Sequence, residues 1–175
     1  NLYSITKYSS ELLAARYARI TGKAIAAVRL AAAYGPMERP TGSRERMSAP
    51  RQLLDALRAG RPVRVAGADV SRDWTYVTDI AAAVDALLRA PRWRYSLYNV
   101  SCGQAVTFRQ VVAAFERHGL RVEWVEEGSE ADIGMRPDQA RAPLDISRLV
   151  AETGFMPRYT IEAGVAEYVQ SEGVL

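Results

Sequence analysis

Residues 24–30 read AIAAVRL, and this largely apolar run decides the class of fold that we expect. A strand that is apolar on both faces is typical of a parallel sheet, in which helices cover both sides. We therefore predict a strand here that is buried on both faces. A helical period over residues 4–20 precedes it, and a helix that Asp79 would cap follows over 80–89. Because strands and helices alternate in this way along the chain, the sequence predicts an α/β fold.

The composition is that of a globular protein and excludes several kinds of site. Of 175 residues, 49% are hydrophobic and 25% are charged, close to the average for folded domains. Only Lys7 and Lys23 are lysines, and the arginines are scattered among 20 acidic residues without a basic block of five or more, so we expect no nucleic-acid partner. The single cysteine, Cys102, excludes an internal disulfide. The single histidine, His118, argues against a histidine-built metal centre, and we predict no metal site.

Two further patterns are missing from the sequence. No apolar run approaches the roughly 18 residues of a membrane span, and residues 1–7 lack the apolar core of a signal peptide. We therefore expect a cytoplasmic protein with no membrane partner. No Gly-x-Gly-x-x-Gly turn joins a strand to a helix, so these residues do not form the usual cradle for dinucleotide phosphates. Since the first residue is Asn1, we expect the chain to be part of something longer.

Tyr3 and Lys7 form the first candidate catalytic pair. They are four positions apart in YSITK (3–7), and residues at this spacing share one face of a helix. A phenol titrates near pH 10, and a cation a few ångströms away favours its ionised form. We therefore predict that Lys7 enables Tyr3 to act as a general acid/base. The alternative is an exposed tyrosine that lies beside a helix lysine without a role.

Four further motifs follow this pair in a fixed order. They are residues 28–36 (VRLAAAYGP), residues 72–79 (RDWTYVTD) preceded by Gly67, residues 98–100 (YNV) followed by Gly103, and the dipeptide Arg136-Pro137. Together with Tyr3, Lys7 and Glu11, they resemble the ordered motifs of the extended short-chain dehydrogenase/reductase family. This family includes the NAD(P)-dependent epimerases and dehydratases of nucleotide sugars. The resemblance spans nearly the whole chain.

The resemblance implies a fold and a division of the chain. It places the chain in the C-terminal half of such an enzyme, with an incomplete Rossmann-type parallel sheet and a small mixed α/β substrate lobe. Residues 1–35 would belong to the dinucleotide-binding domain. Residues 36–175 would mostly form the substrate lobe, with 74–101 returning to the Rossmann domain. In the family, the glycine-rich turn lies in the N-terminal half, which precedes the part that this chain resembles.

The resemblance also implies a cofactor and the residues that contact it. The cofactor would be NAD or NADP. In the family, the tyrosine matched by Tyr3 exchanges a proton with a substrate hydroxyl while hydride moves to or from the cofactor. The matching lysine, Lys7, would hydrogen-bond the nicotinamide ribose, and Leu30 is predicted to lie beside the cofactor.

A nucleotide-sugar substrate is implied in the same way. Arg72 and Arg136 stand where the family binds the nucleotide diphosphate or ribose, and a guanidinium can hold a phosphate through two parallel hydrogen bonds. An ion pair with Asp79 is the alternative for Arg72. Arg64 is a further candidate, on the strand that lies along the nucleobase in the family.

Two departures from the family pattern concern the substrate. Ala32 stands at a substrate-binding position where many UDP-sugar enzymes have Asn, and its methyl group cannot hydrogen-bond a diphosphate. Residues 136–139 (RPDQ) lack the Gly-Asp ending of the family motif. Both departures argue against UDP-glucose or UDP-galactose as the substrate.

The resemblance implies that the intact protein is an NAD(P)-dependent epimerase or dehydratase of a nucleotide-activated sugar, in which Tyr3 and Lys7 assist hydride and proton transfer. The isolated 175 residues are expected to be inactive. The alternative is a non-catalytic fragment or a nucleotide-binding module of the same fold. We also expect a homodimer, because in the family this helix packs against its copy and here it presents Leu12, Leu13 and Tyr17.

Overall fold

The computed structural model describes residues 1–42 and 46–173. The described α-helices are α1 (Leu2–Thr21), α2 (Ala49–Arg58), α3 (Val77–Arg89), α4 (Phe108–Glu116), α5 (Ser147–Thr153) and α6 (Ile161–Ser171). The described strands are β1 (Ala27–Leu30), β2 (Ala32–Tyr34), β3 (Val63–Ala66), β4 (Ser71–Arg72), β5 (Trp74–Tyr76), β6 (Leu97–Val100), β7 (Val106–Thr107), β8 (Val122–Trp124) and β9 (Ile133–Gly134). Among these helices, none combines the length and the apolar character required to cross a bilayer.

Most strand pairs are parallel. β1 pairs with β6, and β2 pairs with β5. β3 lies between β8 and β9 and is parallel to both. Only the short β4 and β7 form an antiparallel pair within the described residues. This alternation of helices with parallel strands confirms the predicted α/β class.

Helix α1 follows the predicted period but lies almost entirely at the surface. Its first turn is capped by Asn1, whose Oδ1 accepts a hydrogen bond from the Ser4 amide at 2.9 Å. It ends at Gly22, which adopts the left-handed conformation with φ of 67°. No residue of α1 is buried. The helix therefore depends on few contacts with the rest of the described chain.

Strand β1 is more exposed than the sequence predicts. Val28 and Leu30 are 41% and 51% exposed, so the prediction of burial on both faces was wrong for the described residues. An apolar strand is buried on both faces only where helices cover both sides of its sheet. Here β1 pairs with β6 and contacts α1, and the other described helices leave Val28 and Leu30 open.

Two apolar cores hold the described elements together. The larger core joins β3 and β5 to helices α2, α4 and α6, and it includes the fully buried Leu53, Leu54, Phe108 and Phe115. The smaller core joins α3, β6 and α5. Its buried members are Ile80, Ala83, Leu87, Tyr98, Val100, Leu149 and Phe155. Residues of β2, β4 and β9 line one common cleft.

Asp79 does not cap helix α3, and this part of the sequence prediction was wrong. Strand β5 leads directly into α3, so the N-cap position falls on Tyr76 and Asp79 lies within the first turn. The Asp79 carboxylate is 2% exposed and accepts hydrogen bonds from the amides of Arg158 and Tyr159, each with a shortest distance of 3.0 Å. A buried carboxylate requires such donors. Asp79 therefore fastens the segment before α6 to the start of α3.

Candidate active site

Four of the predicted site residues line one cleft of about 560 Å³, which we call the central cleft. They are Tyr3 on α1, Ala32 on β2, Arg72 on β4 and Arg136 after β9. Residues that are up to 133 positions apart in sequence thus face a common space. The volume is within the range of small-molecule and cofactor sites, which span about 300–1,000 Å³.

Tyr3 and Lys7 lie on one face of α1, as their spacing predicts. The Lys7 Nζ is 5.4 Å from the centroid of the Tyr3 ring. Tyr3 is 70% exposed, so its hydroxyl is accessible to a ligand. A second space of about 730 Å³, which we call the lysine cleft, is lined by Tyr3, Lys7 and Leu30 and meets the central cleft at Tyr3.

The lysine cleft fits the nicotinamide end of NAD(P). Its lining includes the Lys7 ammonium, which can donate to ribose hydroxyls, and the exposed Leu30 side chain, which offers an apolar surface to a flat ring. The cleft runs along β1 and includes Leu30 at its carboxyl end, the end of the strands beyond which ligands of parallel α/β sheets bind. Lys7, Tyr3 and Leu30 are therefore the residues of this chain that could hold such a group.

An ion pair orients helix α1 over this cleft. The Arg29 Nε and Nη2 donate to the two carboxylate oxygens of Glu11 at 2.8 and 2.7 Å. This contact raises the pKa of Arg29 and lowers the pKa of Glu11. Such two-pronged contacts fix direction as well as distance. Since α1 has no buried residue, this pair and the contact of α1 with β1 are what the described residues offer to hold Tyr3 and Lys7 in position.

Arg72 reaches the cleft without a carboxylate partner among the described residues. Its guanidinium lies 5.4 Å from the Trp74 ring, and its buried Nε has no hydrogen-bond partner. The alternative ion pair with Asp79 is not formed, because that carboxylate binds the amides of Arg158 and Tyr159. Burial lowers the pKa of Arg72, and the nearby charge of Arg141 lowers it further. The guanidinium is thus placed to receive an anion.

The other two predicted arginines differ in their surroundings. Arg136 lies on the central cleft and also on an outer cleft of about 640 Å³ that includes Ala66. The Arg136 Nε is 3.1 Å from Asp138 Oδ1, and its side chain is 72% exposed. Arg64 lies outside these clefts, with its Nε 3.8 Å from Glu123 Oε2 on β8. The structure therefore brings Arg136, but not Arg64, to the residues around Tyr3.

Arg141 is a site residue that sequence reasoning missed. It lines a third space of about 410 Å³, the Arg141 cleft, together with Tyr3 and Arg72. Its backbone amide donates to the carbonyl of Ser71 at 2.9 Å, which brings the segment after the Pro137–Gln139 3₁₀ turn back to β4. The only sequence signal was a second arginine close to Arg136 in an irregular polar stretch.

Cys102 lies in a turn after β6, and its thiol is 3.1 Å from Asp73 Oδ1. Burial and, to a smaller extent, the Asp73 carboxylate raise the pKa of this thiol to about 11.

Only a thiolate attacks alkylating reagents, so Cys102 should react about 100-fold more slowly at pH 8 in the folded protein than in urea. Timed labelling with iodoacetamide and intact-mass measurement would test this. Equal rates in both conditions would contradict the buried, protonated thiol.

Comparison of the sequence with family models and with curated proteins shows which family the chain belongs to. Residues 1–101, more than half of the chain, match the family model described as NAD dependent epimerase/dehydratase family. The chain belongs to this family. It is 28% identical to a probable UDP-glucuronate 4-epimerase from Rhizobium meliloti, over 97% of the chain and 52% of that protein. It is 30% identical to a dTDP-glucose 4,6-dehydratase from Xanthomonas campestris, over 95% of the chain and 48% of that protein. The chain thus spans about half the length of the curated relatives it matches.

Solved structures of family members share the fold. A UDP-glucose 4-epimerase from Thermotoga maritima, solved with UDP-glucose, matches with a TM-score of 0.79 at 23% identity, over 97% of the chain and 53% of that structure. A UDP-glucose 4-epimerase from Thermus thermophilus, solved with NAD, gives a TM-score of 0.78 at 23% identity. The match covers 99% of this chain and 54% of that structure. These likenesses confirm the predicted incomplete Rossmann-type sheet.

Proposed function

We propose that the intact protein is an NAD(P)-dependent epimerase or dehydratase of nucleotide sugars, and that this chain supplies its acid/base pair and its substrate cleft. The observation that carries the proposal is the central cleft, where Tyr3, Arg72 and Arg136 face one space. The names of the relatives, a probable UDP-glucuronate 4-epimerase and a dTDP-glucose 4,6-dehydratase, support the substrate class.

Tyr3 is proposed to move the proton. Its accessible hydroxyl would take a proton from a sugar hydroxyl and return it, and the Lys7 ammonium lies beside its ring on the same face of α1. Lys7 and Leu30 would hold the nicotinamide end of the cofactor in the lysine cleft. When bound there, the nicotinamide supplies a hydride acceptor and donor. Without a glycine-rich turn in the chain, we propose that the isolated 175 residues are inactive.

Arg72 and Arg136 are proposed to bind the diphosphate of the substrate. Both face the central cleft, and Arg72 makes no ion pair within the described residues. A guanidinium and a phosphate form charge-assisted hydrogen bonds that fix orientation as well as affinity. The Ala32 methyl group adds no hydrogen bond at this position, so the two arginines would carry the recognition of the phosphates.

A wider organisation follows from the proposal. Residues 1–35 and 74–101 would complete the cofactor-binding domain, and most of 36–175 would form the substrate lobe. Helix α1 would pack against its copy in a homodimer. Its exposed Leu12, Leu13 and Tyr17 side chains, at 53%, 69% and 52% exposure, offer the apolar surface that such packing buries.

Nucleotide-sugar binding by the intact protein would test the proposed function. We expect UDP-glucose, UDP-glucuronate or dTDP-glucose to bind measurably by calorimetry. Arg72→Ala should weaken that binding about 10- to 100-fold, since hydrogen bonds to a charged group contribute about 1.5–3 kcal/mol. Arg92→Ala, which removes an exposed arginine that lines none of these clefts, should bind like wild type. Absence of binding for all three compounds, or equal binding by Arg72→Ala, would contradict the proposal.

A further inference from the structure

Arg72 and Arg141 form a pair of cations that face one space. Together with Tyr3 they line the Arg141 cleft of about 410 Å³. Within the described residues, no carboxylate lies within 4.0 Å of either guanidinium. Burial is the larger cause of the lowered pKa of Arg72, and repulsion from the nearby charge of Arg141 lowers it further. An anion placed between them would remove the repulsion.

The acidic groups near these arginines are engaged elsewhere. Asp73 is 3% exposed, and its oxygens accept hydrogen bonds from the Thr75 hydroxyl and the Leu144 amide at 3.0 Å each. Asp138 pairs with Arg136, with 3.1 Å between Oδ1 and Nε. The Asp145 carboxylate accepts a hydrogen bond from the Ser147 amide at 2.8 Å. Within the described residues, these carboxylates thus leave the arginine pair without a counter-ion, and an anionic ligand would supply one.

Hydrogen bonds to nearby backbone carbonyls hold both the amide and the guanidinium of Arg141 in place. Its amide donates to the Ser71 carbonyl at 2.9 Å. Its Nη1 donates to the carbonyls of Asp138 and Ala140 at 2.7 and 2.6 Å. These bonds use one guanidinium nitrogen and leave Nε and Nη2 for a ligand. A donor group that is fixed before binding loses less conformational entropy when the ligand arrives.

The three clefts show which of Arg72, Arg136 and Arg141 share a space with one another and with Tyr3 and Lys7. Arg136 shares the central cleft with Arg72, whereas Arg141 shares the Arg141 cleft with Arg72 and the lysine cleft with Lys7. Tyr3 lines all three spaces. Arg141 therefore shares spaces with both Tyr3 and Lys7, whereas Arg136 shares a space with Tyr3 but, among these clefts, none with Lys7. With the diphosphate between Arg72 and Arg136, the sugar ring would extend toward Tyr3 and Arg141.

From this arrangement we infer that Arg141, together with Arg72, binds a carboxylate on the sugar itself, so that the preferred substrate is a nucleotide-activated uronic acid. The inference rests on the proposed function and deepens it by naming the substrate class. A carboxylate presents two coplanar oxygens that match two N–H groups of a guanidinium. A neutral hydroxymethyl group at the same carbon offers one oxygen and no charge, so it would leave the repulsion between the arginines in place.

Calorimetry on the intact protein with a matched pair of ligands would test the inference. UDP-glucuronate and UDP-glucose share the nucleotide and differ at the sugar carbon that bears the carboxylate. We expect wild type to bind UDP-glucuronate more tightly than UDP-glucose. Arg141→Ala should lose at least tenfold in affinity for UDP-glucuronate and less than threefold for UDP-glucose. Arg92→Ala should change neither affinity. Because UDP-glucose binding also reports whether Arg141→Ala is folded, the difference between the two ligands does not depend on stability.

The possible failures are distinguishable. Equal losses for both ligands in Arg141→Ala would overturn the carboxylate subsite and assign the guanidinium to the diphosphate or to the fold. A wild-type protein that prefers UDP-glucose, or that binds dTDP-glucose but neither UDP sugar, would also overturn it while leaving the proposed function standing. A wild-type protein that binds none of the three compounds would overturn the proposed function as well.

Discussion

Replacing Tyr3 by phenylalanine is expected to lower kcat of the intact protein by about 10²- to 10⁴-fold, the usual contribution of a positioned acid/base group. The substitution removes the hydroxyl that would exchange the proton and retains the ring that lies beside Lys7. Because Tyr3 is 70% exposed, the loss of its hydroxyl should not affect folding. Binding of nucleotide sugar, which the arginines would carry, should stay within about twofold of wild type. Turnover is measured by chromatography of the nucleotide sugars.

Tyr8→Phe is the matched control for this experiment. Tyr8 is on the same helix, is 56% exposed and lines none of the clefts that contain Tyr3. It should retain wild-type turnover. If Tyr3→Phe turned over like wild type, the proposed proton transfer would be wrong. If Tyr8→Phe lost activity to the same extent, the effect would belong to the packing of α1 and not to one hydroxyl.

Gly67→Ala is expected to have the largest effect on stability. Gly67 has φ of +83°, a conformation that residues with a Cβ adopt only with strain. A Cβ at this position would lie 2.0 Å from the backbone carbonyl oxygen of Met135, which cannot move without shifting β9. Strain and overpacking each cost about 1–3 kcal/mol, so the free energy of unfolding should fall by about 2–6 kcal/mol. Urea unfolding followed by circular dichroism measures the change.

Two other glycines separate these contributions. Gly60 has φ of +60° and open space around it, so Gly60→Ala should show the conformational strain alone, at about 1 kcal/mol. Gly134, on β9 next to the clash, has open space and no positive φ, so Gly134→Ala should change stability least. A Gly67→Ala variant no less stable than Gly60→Ala would contradict the clash with Met135.

Because Arg136 follows Met135, Gly67→Ala should also weaken nucleotide-sugar binding.

Much of the fold could be predicted because its signals are local. The period of α1 and its end at Gly22 are visible within about twenty residues. Thr107 begins α4 with a capping box, in which its hydroxyl accepts from the Gln110 amide and the Gln110 side chain accepts from the Thr107 amide. The short runs VRV at the start of β3 and VEW of β8 likewise alternate between apolar and other residues within the strand itself. Each of these elements carries its own pattern, independent of its partners.

The remaining features depend on distant contacts. Strand β9 (Ile133–Gly134) has no local signal of its own, because its two residues form a strand only by pairing with β3. Exposure of β1 depends on what covers its sheet, which a local apolar run does not reveal. Asp79 has the residue type of a cap, but its partners at Arg158 and Tyr159 are about eighty positions away.

The candidate site also combines residues that belong to sequence motifs with residues whose position depends on distant contacts. Tyr3, Lys7, Arg72 and Arg136 carry recognisable motifs, so the sequence could propose them without a structure. Arg141 has no motif, and its place beside Arg72 depends on one amide hydrogen bond to Ser71. The neighbourhood of Arg64 was equally hidden, since the acidic partner Glu123 lies on β8, which pairs with β3.

The pairing of β1 with β6 has a consequence for biosynthesis. Ala27 pairs with Leu97, so seventy residues must be added to the growing chain before this pair can close. At about 5–20 residues per second, a ribosome needs several seconds for that segment. During this interval the amide and carbonyl groups of β1 that bind β6 have no partner from β6. Unpaired strand groups can pair with other chains, so this is an interval in which a chaperone would protect the protein.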